Sequence, residues 1–205
     1  MVFPLTVLVN PPLRRLVLAE MLPEQLTRTG TTIVLGTALT ALAAQVSIPI
    51  PGSPVPVTGQ TFAVLLTAAA LGPARGIAAQ ALYLVLGVAG LPVFAGAGHG
   101  PAVLFGATGG YLIAFPAAAA IVGYGARHGA DRSPVRTLLL FALASAAIYL
   151  LGTAWLCLET GMTASAGISA GVTPFLPGDA VKALLAAGLL PGAWQLTGRG
   201  AGTEN

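Results

Sequence analysis

Charge is scarce in this sequence: only 7% of its 205 residues are Asp, Glu, Lys or Arg, where an ordinary soluble domain carries about 25%. Hydrophobic residues make up 56% and the mean hydropathy is +0.87. This excludes a soluble globular chain and describes an integral membrane protein. Long segments of alternating polar and apolar residues are also lacking, which excludes an outer-membrane barrel and leaves a helical bundle. Although the pI is near 9.5, the net charge is only +3 and the arginines are scattered rather than clustered with aromatics. Nucleic-acid binding is therefore excluded.

Cys157 is the single cysteine, so neither an intramolecular disulfide nor a cysteine-based metal site can form. His99 and His128 are the only histidines, and neither sits in an HExxH motif or beside paired carboxylates. His128, next to Arg127, reads as a solvated loop residue. A catalytic pair is missing and the chain is not expected to be an enzyme. No GxxxxGK phosphate loop occurs either, so any energy must come from a partner or an ion gradient. The start lacks a secretory pattern, since Arg14 and Arg15 follow the apolar residues and Asn10-Pro11-Pro12 interrupts them. Residues 1–27 are read as an N-terminal extension, either surface-lying or preceding a start at Met21, and 198–205 as a tail.

What is present is a series of apolar runs. Thr31–Val46 is the first span, roughly 24 Å long at ~1.5 Å per residue. Four prolines between Pro49 and Pro56 exclude helix there and predict an extended, semi-rigid loop over 47–61. Helices follow over 61–71 and 74–88, separated by Gly72-Pro73. The stretch 91–108, rich in glycine and carrying His99, reads as a loop of the lid or binding type. Spans over 109–125 and 137–158, a second Gly/Ser/Thr-rich loop over 159–172, and a last span within 173–192 complete six membrane helices.

Eight arginines, Arg14, Arg15, Arg28, Arg75, Arg127, Arg132, Arg136 and Arg199, then fall on one side, which places both termini in the cytoplasm. The three opposite loops carry no basic residue and converge outside over the start of the last span. That span holds Asp179 and Lys182, the only ionisable residues clearly inside a run. At i, i+3 on a helix they share a face and neutralise each other, and charges in such a setting default to function. Two readings stay open: a site for a small polar molecule, or Asp179 as N-cap with Lys182 snorkelling outward. On the first span, Gly36, Thr40 and Ala44, with Thr37 and Ala41, form a small-residue face. It is read as a contact for a partner or for a neighbouring helix.

The strings SPVPVTGQTFAVLL (53–66), LGPARG (71–76), LYLVLGVAGLPVF (82–94), GATGGYL (106–112) and GDAVKA (178–183), in that order, resemble the BioY family. Its members are the biotin-specific substrate-binding subunits (S components) of energy-coupling factor (ECF) transporters. The likeness runs from about Gly30 to about Leu196. It implies an all-α, six-helix protein of the bacterial plasma membrane that captures biotin outside and delivers it inward. It also implies partners, a transmembrane coupling protein and two ABC ATPases, and no cofactor.

The family's D-x-x-K in the last helix maps onto Asp179 and Lys182. Asp179 would accept from the ureido N–H groups, and Lys182 would donate to the ureido carbonyl or the carboxylate. Thr58 and Gln60 stand at the mouth, and Tyr83, Tyr149, Tyr111, Phe62 and Phe94 are candidate walls. The sequence departs from the family in having no arginine between Arg75 and Arg127 and in having Ala107 where proline is common. The carboxylate contact then passes to His99 or to the backbone N–H groups of Gly109 and Gly110. Alternatives to the biotin reading are an S component for another vitamin and a proton-coupled carrier using Asp179.

Overall fold

A computed structural model describes residues 16–21 and 28–197 of the chain. The elements are α1 (Thr29–Ala44), a two-residue antiparallel ladder of β1 (Ser47–Ile48) and β2 (Val57–Thr58), α2 (Gln60–Leu71), α3 (Pro73–Val88) and a short α4 (Pro101–Leu104). Then come α5 (Gly109–Arg127), α6 (Pro134–Thr160), α7 (Ala164–Gly171) and α8 (Leu176–Leu196). The six longer helices pack as a bundle around α5, which lies against α2, α3 and α6. Two of them, α5 and α6, are long and apolar enough to cross a membrane on length and composition, and α1, α2 and α3 are shorter apolar helices. Large apolar side chains such as Leu42, Leu139, Leu150 and Leu184 point outward from the bundle, the pattern of helices solvated by hydrocarbon.

The break between α2 and α3 falls where the sequence places it. Gly72 takes φ +80°, a conformation cheap only for glycine, and Pro73 opens the next helix. α5 approaches this corner closely, because a Cβ on Gly123 would lie 2.5 Å from the Pro73 nitrogen. The Pro-rich segment is free of helix as expected, but it turns back on itself instead of running extended: Ser53 N donates to the Ile50 carbonyl at 3.0 Å around Pro51-Gly52, and the pairs Ser47–Thr58 and Ile48–Val57 tie its ends. The loop 159–172 differs from the sequence reading. Residues up to Thr160 belong to α6, and α7 fills 164–171, with the Thr163 hydroxyl capping it by accepting from Ala166 N at 3.3 Å.

The small-residue face of α1 is not available to a partner, which corrects the partner assignment. Gly36, Thr37, Thr40 and Ala44 are buried, and Ala41 is half-buried against the core. A Cβ on Gly36 would press into the Thr67 side chain of α2, with Ala79 of α3 at 3.1 Å. Thr37 donates to the Ala79 carbonyl at 2.8 Å and Gln80 donates to Thr40 at 3.2 Å. Close approach is indeed the role of these residues, but the helices that approach are the chain's own.

At the arginine-rich end, residues 16–21 pack onto the bundle. Val17 is fully buried, and Glu20 pairs with Arg75 at 3.3 Å and Arg127 at 3.7 Å. Arg132 donates to the Leu16 carbonyl. This part of the expected extension is integral to the fold; residues 1–15 and 22–27, like 198–205, lie outside the described residues.

Candidate functional site

The opposite end holds a cavity of roughly 750 Å³, its open mouth included, within the range of small-molecule sites. α8 contributes the charged pair. The helix begins at Leu176 without a side-chain cap, so Asp179 stands inside the first turn and is not the N-cap. Lys182 does not snorkel: its Nζ turns inward and donates to Asp179 Oδ1 and to Thr61 Oγ1, both at 2.7 Å. Thr61 in turn donates to Asp179 Oδ1 at 3.3 Å, and the Tyr149 hydroxyl of α6 donates to Oδ2 at 2.5 Å. Three donors thus hold the carboxylate, and the ammonium keeps one N–H for a ligand. The helix N-terminus adds favourable potential for Asp179.

The β2–α2 corner builds the adjoining polar edge. The Thr58 hydroxyl accepts from Gln60 N at 3.3 Å and donates to Gln60 Oε1 at 2.9 Å. Gln60 Nε2 donates to the Tyr83 hydroxyl at 2.5 Å, and Tyr83 donates to the Val93 carbonyl at 3.0 Å. Tyr83 is wholly buried and does not line the cavity; it positions Gln60 from behind. Phe94 meets Tyr83 edge-to-face at 5.4 Å and forms part of the wall. Tyr111, Phe175 and Tyr149 make the aromatic side, with ring centroids 6.3 Å and 6.4 Å apart along the series.

Of the residues expected from sequence, Asp179, Lys182, Thr58, Gln60, Tyr149, Tyr111 and Phe94 all line the cavity. His99 does not, which corrects its assignment: it is exposed, with Nδ1 3.2 Å from the Ala97 carbonyl. Gly109 and Gly110 are corrected too. They are buried under Trp155, and a Cβ on Gly110 would overlap the Trp155 side chain, so their role is to seat the start of α5 against α6. The Gly109 N–H is engaged by Gly106 O at 3.0 Å. Phe62 borders a smaller recess beside Lys182. Sequence reasoning missed the other lining residues, among them Thr61, Thr108, Phe115, Ile148 and Phe175 and the apolar Val55, Pro56, Ala95, Val103 and Leu112. Only Thr61 had a local signal, as a hydroxyl in the first turn of α2 directly after Thr58 and Gln60.

A membrane-embedded helical bundle with an apolar cavity and one compact donor–acceptor cluster is a binding protein for an amphiphilic small molecule. More particularly, a model of the BioY family matches residues 15–199, and the chain belongs to that family. It is 42% identical over 154 residues to the probable biotin transporter BioY of Pyrococcus horikoshii, covering 75% of this chain and 88% of that one. To the biotin transporter BioY of Thermotoga maritima it is 40% identical over 151 residues, 74% and 86% of the two chains. The crystal structure of the S-component for biotin from an ECF-type ABC transporter has the same fold. The TM-score is 0.77 at 24% identity, covering 85% of this chain and 94% of that one. The family match begins at residue 15, earlier than the likeness read from the sequence strings, and takes in the packed segment 16–21.

Proposed function

We propose that this chain is the biotin-capturing subunit of a vitamin uptake transporter. The observation that carries the reading is the cluster of Asp179, Lys182, Thr61 and Tyr149 at the polar end of an apolar, aromatic-walled cavity. A cyclic urea presents N–H donors and a carbonyl acceptor together. Asp179 answers the first and the remaining Lys182 N–H the second, while the thioether ring meets Phe94, Phe115 and Phe175. The names of its relatives, biotin transporters, support the same ligand.

All six longer helices cross the bacterial plasma membrane in this reading, and the arginine-rich end faces the cytoplasm. The cavity then loads from outside. An energising module of a coupling protein and two ABC ATPases drives release inward, in keeping with the ECF-type transporter to which the structural neighbour belongs. Within the site, Thr58 and Gln60 set the mouth and Tyr83 holds Gln60.

The test is calorimetric titration of biotin into the detergent-purified chain, with thiamine and riboflavin as controls and Asp179→Asn in parallel. Binding of biotin alone, weakened in the variant, is the expected result. Binding of thiamine or riboflavin instead, or of none of the three, overturns it.

A further inference from the structure

Biotin has two polar ends, a ureido ring and a carboxylate at the tip of an alkyl chain, whereas the cavity has one charged cluster, with Thr58, Gln60 and Thr108 as its neutral polar groups. Among the described residues, Asp179 and Lys182 are the only charged ones in its lining, and they face each other at 2.7 Å, so their charges cancel. A urea, needing acceptor and donor side by side, matches that pair. A carboxylate needs donors only; set against Lys182 it would sit beside the Asp179 carboxylate, a like charge that penalises it.

Elsewhere among the described lining residues the carboxylate finds no cation. Val103, Leu112 and Ala95 are apolar there, and the Tyr111 hydroxyl is engaged by Gly171 O at 2.9 Å and Thr153 at 3.2 Å. Thr108 supplies one neutral hydroxyl. His99 is exposed and outside the lining, and Arg75 and Arg127 are at the far end with Glu20. An unpaired carboxylate enclosed in a membrane-embedded cavity costs several kcal/mol; at the open mouth it keeps its water.

We infer that the site reads the fused-ring end of its ligand and leaves the carboxyl end unread in solvent, so that it takes biotin carboxamides as well as the free acid. This rests on the proposed biotin reading and deepens it: the substrate class becomes biotin together with biotin joined through an amide to a small amine such as lysine.

The experiment is a titration of the full chain in detergent with biotin, biotin methylamide and biotinyl-lysine. The expected result is a Kd for each amide within about threefold of that for biotin, a difference below 1 kcal/mol. Amides weaker by about 100-fold or more while biotin binds would mean that a protein group reads the carboxylate, and the inference falls while the biotin reading stands. If biotin itself does not bind, both fall together. A Lys182→Gln variant gives the second arm. Equal weakening of acid and amide is expected, since Lys182 reads the ring; selective weakening of the acid places the carboxylate on Lys182 and overturns the inference. The ratio in the unmodified chain decides the matter even where the variant does not fold.

Discussion

An aspartate withdrawn from solvent stands at each end of α8, Asp179 partly and Asp131 wholly buried, and the two are handled in opposite ways. Asp179 faces the cavity with a side chain only 12% exposed, and Lys182, Thr61 and Tyr149 bring three donors to it. Asp131, in the α5–α6 connection, is completely buried. Its Oδ2 accepts from Trp194 Nε1 at 2.6 Å, while Oδ1 finds no partner among the described residues. Arg132 lies over the Trp194 ring, 4.3 Å from its centre. Burial pushes the Asp131 carboxyl up to about 6, and the Trp194 hydrogen bond only partly offsets this. The carboxylate at the cavity is balanced by a cation and two hydroxyls; the carboxyl closed inside the packing has its proton held more tightly by burial. Changes at Asp179 are therefore expected to register in affinity, and changes at Asp131 in stability.

The largest effect separates breaking the first pair from replacing it. Lys182→Ala leaves the Asp179 carboxylate without its cation, and losing one partner of a buried pair costs about 3–5 kcal/mol. Biotin affinity should fall by about 100-fold or more, read by calorimetry, with the thermal midpoint lowered as well. In the double variant Asp179→Leu with Lys182→Leu, binding is lost but the midpoint should return toward that of the unmodified chain. A double variant as unstable as the single one would mean that the pair holds the fold rather than the ligand.

Next comes the pH dependence at the other end. With the Asp131 carboxyl raised from 3.8 to about 6 on folding, the native state binds more protons than the unfolded state in that interval. Stability from this group is present at low pH and is lost as pH rises through about 6, by on the order of 3 kcal/mol in total. Thermal midpoints between pH 4 and pH 7 should follow this slope in the unmodified chain and flatten in Asp131→Asn, with the biotin Kd the same in both. Equal slopes would show that another group titrates.

The contrast between the two aspartates also marks what the sequence could reveal. Asp179 and Lys182 were visible because two charges at helical spacing stand out in an apolar run, and the resemblance then gave them a ligand. Gly72-Pro73 was visible because its chemistry is local. Asp131 was not: inside RHGADRSPVR it looks like any solvated loop residue, and only the fold brings Trp194 of α8 onto it. Phe175 went unassigned for the same reason, and Thr61, although its hydroxyl follows Thr58 and Gln60, gave no sign of its partner. Thr61 meets Lys182 across 121 residues of sequence, and no local pattern encodes that distance. The glycine and threonine face of α1 announced close approach without naming the neighbour. α7 carried no apolar period to reveal it.

A smaller effect is expected from Trp194→Phe, which keeps the ring's bulk and removes the indole donor to Asp131 Oδ2. A buried carboxyl that loses a side-chain hydrogen bond costs about 1–3 kcal/mol, so the thermal midpoint should drop while the biotin Kd stays within about twofold. A change in affinity matching the loss of stability would mean that the two ends of α8 are coupled, and the division drawn between them would fail.

The smallest effect tests the site's own redundancy. Tyr149→Phe deletes the donor to Asp179 Oδ2 and leaves the ring against Phe175, so the aromatic wall survives and only the hydrogen bond is lost. Asp179 keeps Lys182 and Thr61 on Oδ1, and a ureido N–H of the ligand can take up the freed oxygen. The net cost is then about 1 kcal/mol, roughly fivefold in Kd, with the thermal midpoint of the ligand-free chain lowered more than that of the loaded one. A loss as large as that of Lys182→Ala would place the tyrosine hydroxyl itself on the ligand, making Tyr149 a direct contact rather than a support for the carboxylate.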